Sequence, residues 1–149
     1  MAVFSLYNIC NAMATALAAV TPPTGDAMRK AYGQAPNDVP MLPCAVVEPQ
    51  NGSLVLSPGA YNGTHAIDVI LLIETASGDY PRIETRRQKW LPVVLHAFDG
   101  NMALDLEPVV KKCYPTTWDF VDYEYGKQTY QAIRVVFNVD TFETVTLAP

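Results

Sequence analysis

The stretch His65-Ala66-Ile67-Asp68-Val69-Ile70-Leu71-Leu72-Ile73-Glu74-Thr75 constrains this chain more than any other. Strand alternation puts Ile67, Val69, Leu71 and Ile73 on one face and Ile70 and Leu72 on the other. Such a strand is dry on both faces at its middle. It needs either a central place in a sheet covered on both sides, or one cover from its own fold and one from a neighbouring subunit. The rest of the chain can supply a core: half of its 149 residues are apolar and 17% are charged, a balance that excludes disorder and suits one domain over residues 1–149.

Around this strand the pattern predicts two helices and further strands. Leu6, Ile9, Met13, Leu17 and Val20 form one stripe of an amphipathic helix, with alanines between them that favour helix and allow close packing. Pro22 and Pro23 end it. A proline-studded connection runs from Thr21 to Pro43, with a short helical turn expected near Asp26–Ala31. Leu42–Glu48 reads as a strand, Pro49–Gly52 as a turn, Ser53–Leu56 as a short second strand and Ser57–Thr64 as a loop rich in Gly, Pro and Asn. Ser77–Pro81 breaks the long strand. Ile83, Trp90, Leu91, Val94 and Phe98 then recur at helical spacing up to a stop at Asp99-Gly100-Asn101. Pro92 either kinks this helix or starts its second half. Trp118–Tyr125 and Tyr130–Thr141 form a hairpin around Gly126–Thr129, and Glu143–Leu147 adds a last short strand. The expected class is α+β: an antiparallel sheet with two main helices on one side, in the order α-β-β-α-β-β.

The charge pattern excludes a nucleic-acid grip. The net charge is -5, and the ten basic residues gather only in small groups, Arg82/Arg86/Arg87/Lys89 and Lys111/Lys112 among them, too few for a basic face. Cys10, Cys44 and Cys113 are odd in number and far apart, which reads as reduced, largely buried thiols and not as a zinc or redox motif. The apolar start of the chain lacks a positive n-region and is interrupted by Asn8 and Asn11, so it reads as a helix packed on its own domain and not as a membrane span. A secreted protein stays as an alternative, because Ala16-Leu17-Ala18 mimics a cleavage site. The glycosylation patterns at Asn51 and Asn62 more simply mark Asn-Gly turns.

No residue set points to catalysis, a cofactor or a metal. HExxH, GxSxG, P-loop and GxGxxG patterns are missing from the sequence, and His65 and His96 read as structural or surface histidines. Asp119, Asp122 and Glu124 read as a solvated polar edge, with Asp122 and Glu124 on one face. The candidates are for interaction instead. Asp68 and Glu74 share parity on the long strand, and charges on so apolar a strand suggest an arginine from a neighbouring subunit. Arg82, Arg86 and Arg87 begin the second helix, as a solvated face or as a contact for an acidic partner. Ser57, Tyr61 and Asn62 belong to a loop long enough to order only against a partner.

Met41–Glu48, the His65–Ile73 run, the helix ending Val93-Val94-Leu95-His96-Ala97-Phe98, and Tyr130-Gln131-Ala132-Ile133-Arg134-Val135-Val136-Phe137 together resemble the tail terminator proteins of long-tailed bacteriophages, the family of phage lambda's. The likeness lies in element order and hydrophobic texture over most of the chain. It implies a non-enzymatic virion protein, assembled in the host cytoplasm, that forms a hexameric ring. Such a ring caps the tail tube protein, stops tail polymerisation and meets the head or neck connector. DNA only passes through its lumen, and no membrane is involved. Six copies would carry roughly -30, which discourages phosphate from sticking. The loop then reaches the tail tube or the adjacent subunit. A head-tail joining protein of the neck has a similar texture, and a small ligand-binding or enzymatic α+β domain is the alternative of another class.

Overall fold

The long apolar strand lies in the middle of a sheet. The computed structural model describes residues 4–39, 41–76 and 79–144. In chain order the elements are α1 (Leu6–Ala18), β1 (Lys30–Tyr32), β2 (Cys44–Ser57), β3 (Ala60–Thr75), α2 (Tyr80–Leu95), β4 (Val110–Tyr125) and β5 (Gln128–Thr144). The strands lie in the order β1-β2-β3-β5-β4. β1 joins β2 in parallel and every other neighbouring pair is antiparallel. The α+β class is as expected. The sheet is mixed instead of antiparallel, and β1 is an addition to the expected order.

Both helices cover one face. Ile9, Cys10, Met13 and Leu17 of α1 and Trp90 and Val94 of α2 share a core with Val69, Leu71, Ile133, Val135 and Phe137. α1 starts where Ser5 caps it, its Oγ accepting from the Asn8 N–H at 3.2 Å. It stops at Ala18, ahead of Pro22, where the Ala19 and Val20 N–H groups turn back to the Ala16 and Leu17 carbonyls in i to i−3 bonds. α2 continues through Pro92, which sits in its last turn. The proline takes away the donor for the Gln88 carbonyl, and the helix ends three residues later at Leu95.

The opposite face is covered by the chain itself. Cys44, Val46, Ile70, Leu72, Tyr130 and Ala132 are buried beneath Tyr32, Val39, Leu42, Val121, Tyr123 and Tyr125. The Tyr123 hydroxyl on β4 donates to Glu48 on β2, although two strands lie between them. At about 4.8 Å per strand a flat sheet cannot make that contact, so the sheet curls over this face. The second cover that the apolar strand needs therefore comes from within one subunit.

Three expectations for the connections change. No helical turn forms over Asp26–Ala31: Lys30–Tyr32 is a strand that satisfies the outer backbone groups of Cys44–Val46. Asn51-Gly52 does not turn the chain; the register shifts between Pro49 and Asn51, and β2 runs on to Ser57. The expected loop Ser57–Thr64 is mostly strand, with its turn at Pro58-Gly59, where Gly59 takes φ +77° after a proline, as a type II turn requires. The β4–β5 hairpin forms as expected, but its loop is only Gly126-Lys127 and β4 begins at Val110. The strand expected over Glu143–Leu147 continues β5 as far as Thr144; Val145–Leu147 lie outside the described residues, as do Ser77 and Gly78 of the expected break.

Candidate functional site

The distal halves of β2 and β3, with the end of β5, project as an arm. Leu54, Val55 and Leu56 are 60%, 64% and 63% exposed, and Tyr61 opposite Leu56 is also exposed. Leu54 and Leu56 share one face and Val55 takes the other, so this segment of β2 is exposed on both faces, while Ala60 and Thr141 behind it are buried. The tip is tied locally: Ser57 Oγ donates to the Ala60 carbonyl at 3.3 Å and accepts from Asn62 Nδ2 at 3.0 Å. Of the expected contact residues, Ser57 and Asn62 therefore shape the turn while Tyr61 is available. The three exposed aliphatics beside them were not singled out by sequence reasoning. Their signal was an uncharged apolar run bounded by serines.

The arm is rooted at His65. A Cβ added at Gly52 would sit 2.5 Å from His65 Nδ1, and one at Gly63 would sit 2.5 Å from Thr141 Oγ1 and 2.6 Å from His65 Nε2. Glycine at both places makes the slot in which the imidazole lies. His65 Nε2 is 3.0 Å from Thr141 Oγ1, and Phe4 stacks on the ring at 4.4 Å. The Phe4 N–H donates to Glu143 Oε2 at 3.1 Å. Burial lowers the pKa of His65, with Asp140 opposing, so the ring is held neutral.

The arginines of α2 are engaged inside the chain. Arg86 forks onto Asp26 with two bonds of 2.8 Å and reaches Glu74 at 3.0 Å. Arg82 grips Glu74 at 2.7 and 3.0 Å and Asp79 at 3.1 Å. Trp90 Nε1 donates to Asp26 at 2.8 Å. Burial alone would raise the Asp26 carboxyl, but the bonds from Arg86 and Trp90 and the Arg86 charge hold it below the usual carboxylate range. Glu74 therefore meets arginines of its own chain and not of a neighbour. The register shift between Leu72 and Glu74 breaks the parity with Asp68 and turns Glu74 toward α2. A cavity of about 550 Å³ opens beside this network, lined by Pro23, Asp26, Arg82, Arg86 and Lys89.

Arg87 is not on a solvated face. With Ile83, Trp90 and Val94 it completes the buried stripe of α2. Its guanidinium lies 4.9 Å from the Phe120 ring centroid and donates to Glu84, and its Nε has no partner among the described residues. The spacing 83, 87, 90, 94 carried that placement; the charge argued against it.

Asp68 sits apart from these groups. It is 8% exposed, lies opposite Glu48 on β2, and makes no hydrogen bond among the described residues. Arg134 is nearby but forks onto Asp119 at 2.8 and 3.1 Å. Burial raises the Asp68 pKa, Arg134 lowers it, and Glu48 and Asp119 raise it further.

The remaining reactive groups do not converge. His96 pairs with Asp99 at the exposed end of α2. Cys10, Cys44 and Cys113 are buried, and burial pushes Cys44 up to about 11 and Cys113 up to about 12, far from thiolate chemistry at neutral pH. Among the described residues no three His, Cys, Asp or Glu side chains are placed to hold a metal ion, and no helix is long and apolar enough to cross a membrane. Comparison with known proteins finds no matching family model and no matching curated protein.

Proposed function

We propose that this chain is a structural virion subunit of the tail terminator kind, one that joins a ring of copies, caps the tail tube and faces the head or neck. The carrying observation is the arm: three aliphatic side chains exposed on both faces of a strand, on a body whose own apolar strand is already covered twice. Exposed apolar surface on a paired strand at the sheet's edge suits assembly. Asp68 supports the same reading: its carboxylate makes no hydrogen bond among the described residues and its oxygens still meet solvent, which leaves them open to a cation from another subunit.

The test uses tails. Removing Leu54–Gly63 and closing Ser53 to Thr64 with an Asn-Gly turn keeps the body and deletes the arm. Tails assembled with this variant should be overlong and uncapped, and electron microscopy of wild-type protein on tail tubes should show a terminal ring. Tails of normal length with the shortened variant refute the assignment of the arm. Failure of wild-type protein to bind tubes refutes the capping role itself, and binding to head connectors alone would favour the neck protein. A small-ligand domain has one observation behind it, the cavity beside α2, but the arginines that line it are held by Asp26, Glu74 and Asp79.

A further inference from the structure

The two outer edges of the sheet are built differently. β4 carries Lys111, Lys112 and Pro115 and shifts register twice, between Val110 and Lys112 and between Pro115 and Thr117. Lysines, prolines and bulges keep a strand edge from pairing with other chains. The distal half of β2 has no such protection. β1 covers only Cys44–Val46, so beyond Val46 the outer edge of β2 has no strand beside it among the described residues. The bulge falls before Asn51 and the next proline is Pro58, which leaves a regular strand between them, paired residue by residue with β3. From Pro49 to Ile67 there are nineteen residues without Asp, Glu, Lys or Arg.

The exposed segment reads the same in both directions: Ser53-Leu54-Val55-Leu56-Ser57. We propose that it is a homotypic contact, through which two free copies of this chain pair antiparallel about a two-fold axis at Val55. Antiparallel strands set residues of the same face opposite each other, and outward-pointing backbone groups must meet outward-pointing ones. A strand crossing its own copy can therefore centre on a residue. Centred on Val55, the segment puts Val against Val, Leu54 against Leu56 of the second copy twice over, and Ser53 against Ser57 of the second copy. Matched aliphatic cross-strand pairs are the stabilising unit of a sheet.

Charge also selects a second copy as the occupant. Two chains of net charge -5 repel wherever their charged surfaces meet, and the uncharged arm lets like-charged molecules touch without that cost. A strongly basic or acidic partner would find no charge there to read. A two-fold contact closes at two copies and does not propagate. It describes the free protein, and because it covers the same three side chains the pair must part before the arm can meet a tail tube.

The experiment is sedimentation of the purified full chain together with oxidative cross-linking. Wild type should sediment as a dimer. Val55→Lys sets lysine against lysine at the axis, and its mass should halve while its circular dichroism spectrum stays that of the folded wild type and its melting temperature loses the concentration dependence that dimerisation gives. Val55→Cys should form a disulfide-linked dimer on mild oxidation, because the axis brings each thiol to its own counterpart. Leu54→Cys should not, since it faces position 56, and the three native thiols are buried. A monomeric wild type, a dimer that survives Val55→Lys, or equal cross-linking of both cysteine variants overturns the proposal. None of these results bears on the capping role, which is judged on tails.

Discussion

The two halves of β2 differ more than any two strands of the sheet. Ala45, Val46 and Val47 are fully buried, beneath α1 on one face and the curled end of β4 on the other; Leu54, Val55 and Leu56 are exposed on both faces. The composition of the two triplets is alike, so hydrophobicity does not explain the contrast. What differs is what the rest of the chain lays over each half. The inner half stabilises the fold, and the outer half leaves its apolar area for another molecule.

The sharpest test of that comparison places the same charge in both halves. Val46→Asp buries an unpaired carboxylate and should cost more than about 4 kcal/mol in urea denaturation, enough to abolish cooperative unfolding. Val55→Asp should cost less than about 1 kcal/mol. Equal losses would break the distinction between body and arm.

A smaller effect concerns how the body is held beside the inner half. Arg86→Ala leaves Asp26 and Glu74 largely buried without their shared cation. The loss should be about 2 kcal/mol, below the 3–5 of a fully enclosed pair because Arg86 itself is partly exposed. Asp26 has a depressed folded pKa, so its contribution is present above the ordinary carboxylate pKa and disappears as pH falls through the lower folded value. The Arg86→Ala variant should have a flatter acid limb than wild type. An unchanged limb would show that the network is a surface ornament.

The inner half of this contrast was legible in the sequence; of the outer half the strand was legible and its exposure was not. Two-face dryness of Ile67–Ile73 placed β3 centrally, and the Leu6–Leu17 stripe placed α1 on it, because burial periodicity is a local signal. Of the arm, Ser53–Leu56 was read as a short strand and only Ser57–Thr64 as a loop, because Pro58, Gly59, Asn62 and Gly63 punctuate it. Its strands are set by pairing with Phe142–Thr144 at the far end of the chain, which no local window contains. The slot for His65 has the same non-local origin: Gly52 and Gly63 look like turn residues until the ring lies over them. Glu74 was misplaced because one bulge reverses strand parity. Arg87 was misplaced because its charge outweighed its position in the stripe. The dryness of β3 also left two solutions open, and only the curl of the sheet gives the second cover to the chain itself.

Asp68 sharpens the comparison from the covered side, since it lies where β3 leaves the body for the arm. Opposite Glu48 it is a like-charged cross-strand pair, so Asp68→Asn should stabilise the isolated protein by up to about 1 kcal/mol at neutral pH. Its folded pKa is raised, so the carboxylate opposes folding above the ordinary carboxylate pKa, and the penalty fades as pH falls through the raised value. The gain from Asp68→Asn should fade likewise. The same substitution should weaken ring formation on tail tubes; a variant that is more stable and still assembles normally would make Asp68 a mere strain in the sheet.

The smallest expected effect is at the root of the arm. His65 is neutral in its slot, and its folded pKa lies below the ordinary imidazole value because of burial. The unfolded chain therefore binds the proton first, and stability drops as pH falls below about 6.5. His65→Gln keeps a partner for Thr141 but cannot titrate. Between about pH 7.5 and 5.5 its stability should change less than that of wild type, measured by denaturant midpoint. Amide exchange of Leu54–Leu56 should quicken on acidification in wild type while exchange of Val46 and Val47 stays slow, because the imidazolium loosens the arm at its root without reaching the body. If both halves of β2 quicken together, the arm is not a separate unit and the contrast between the halves is one of exposure alone.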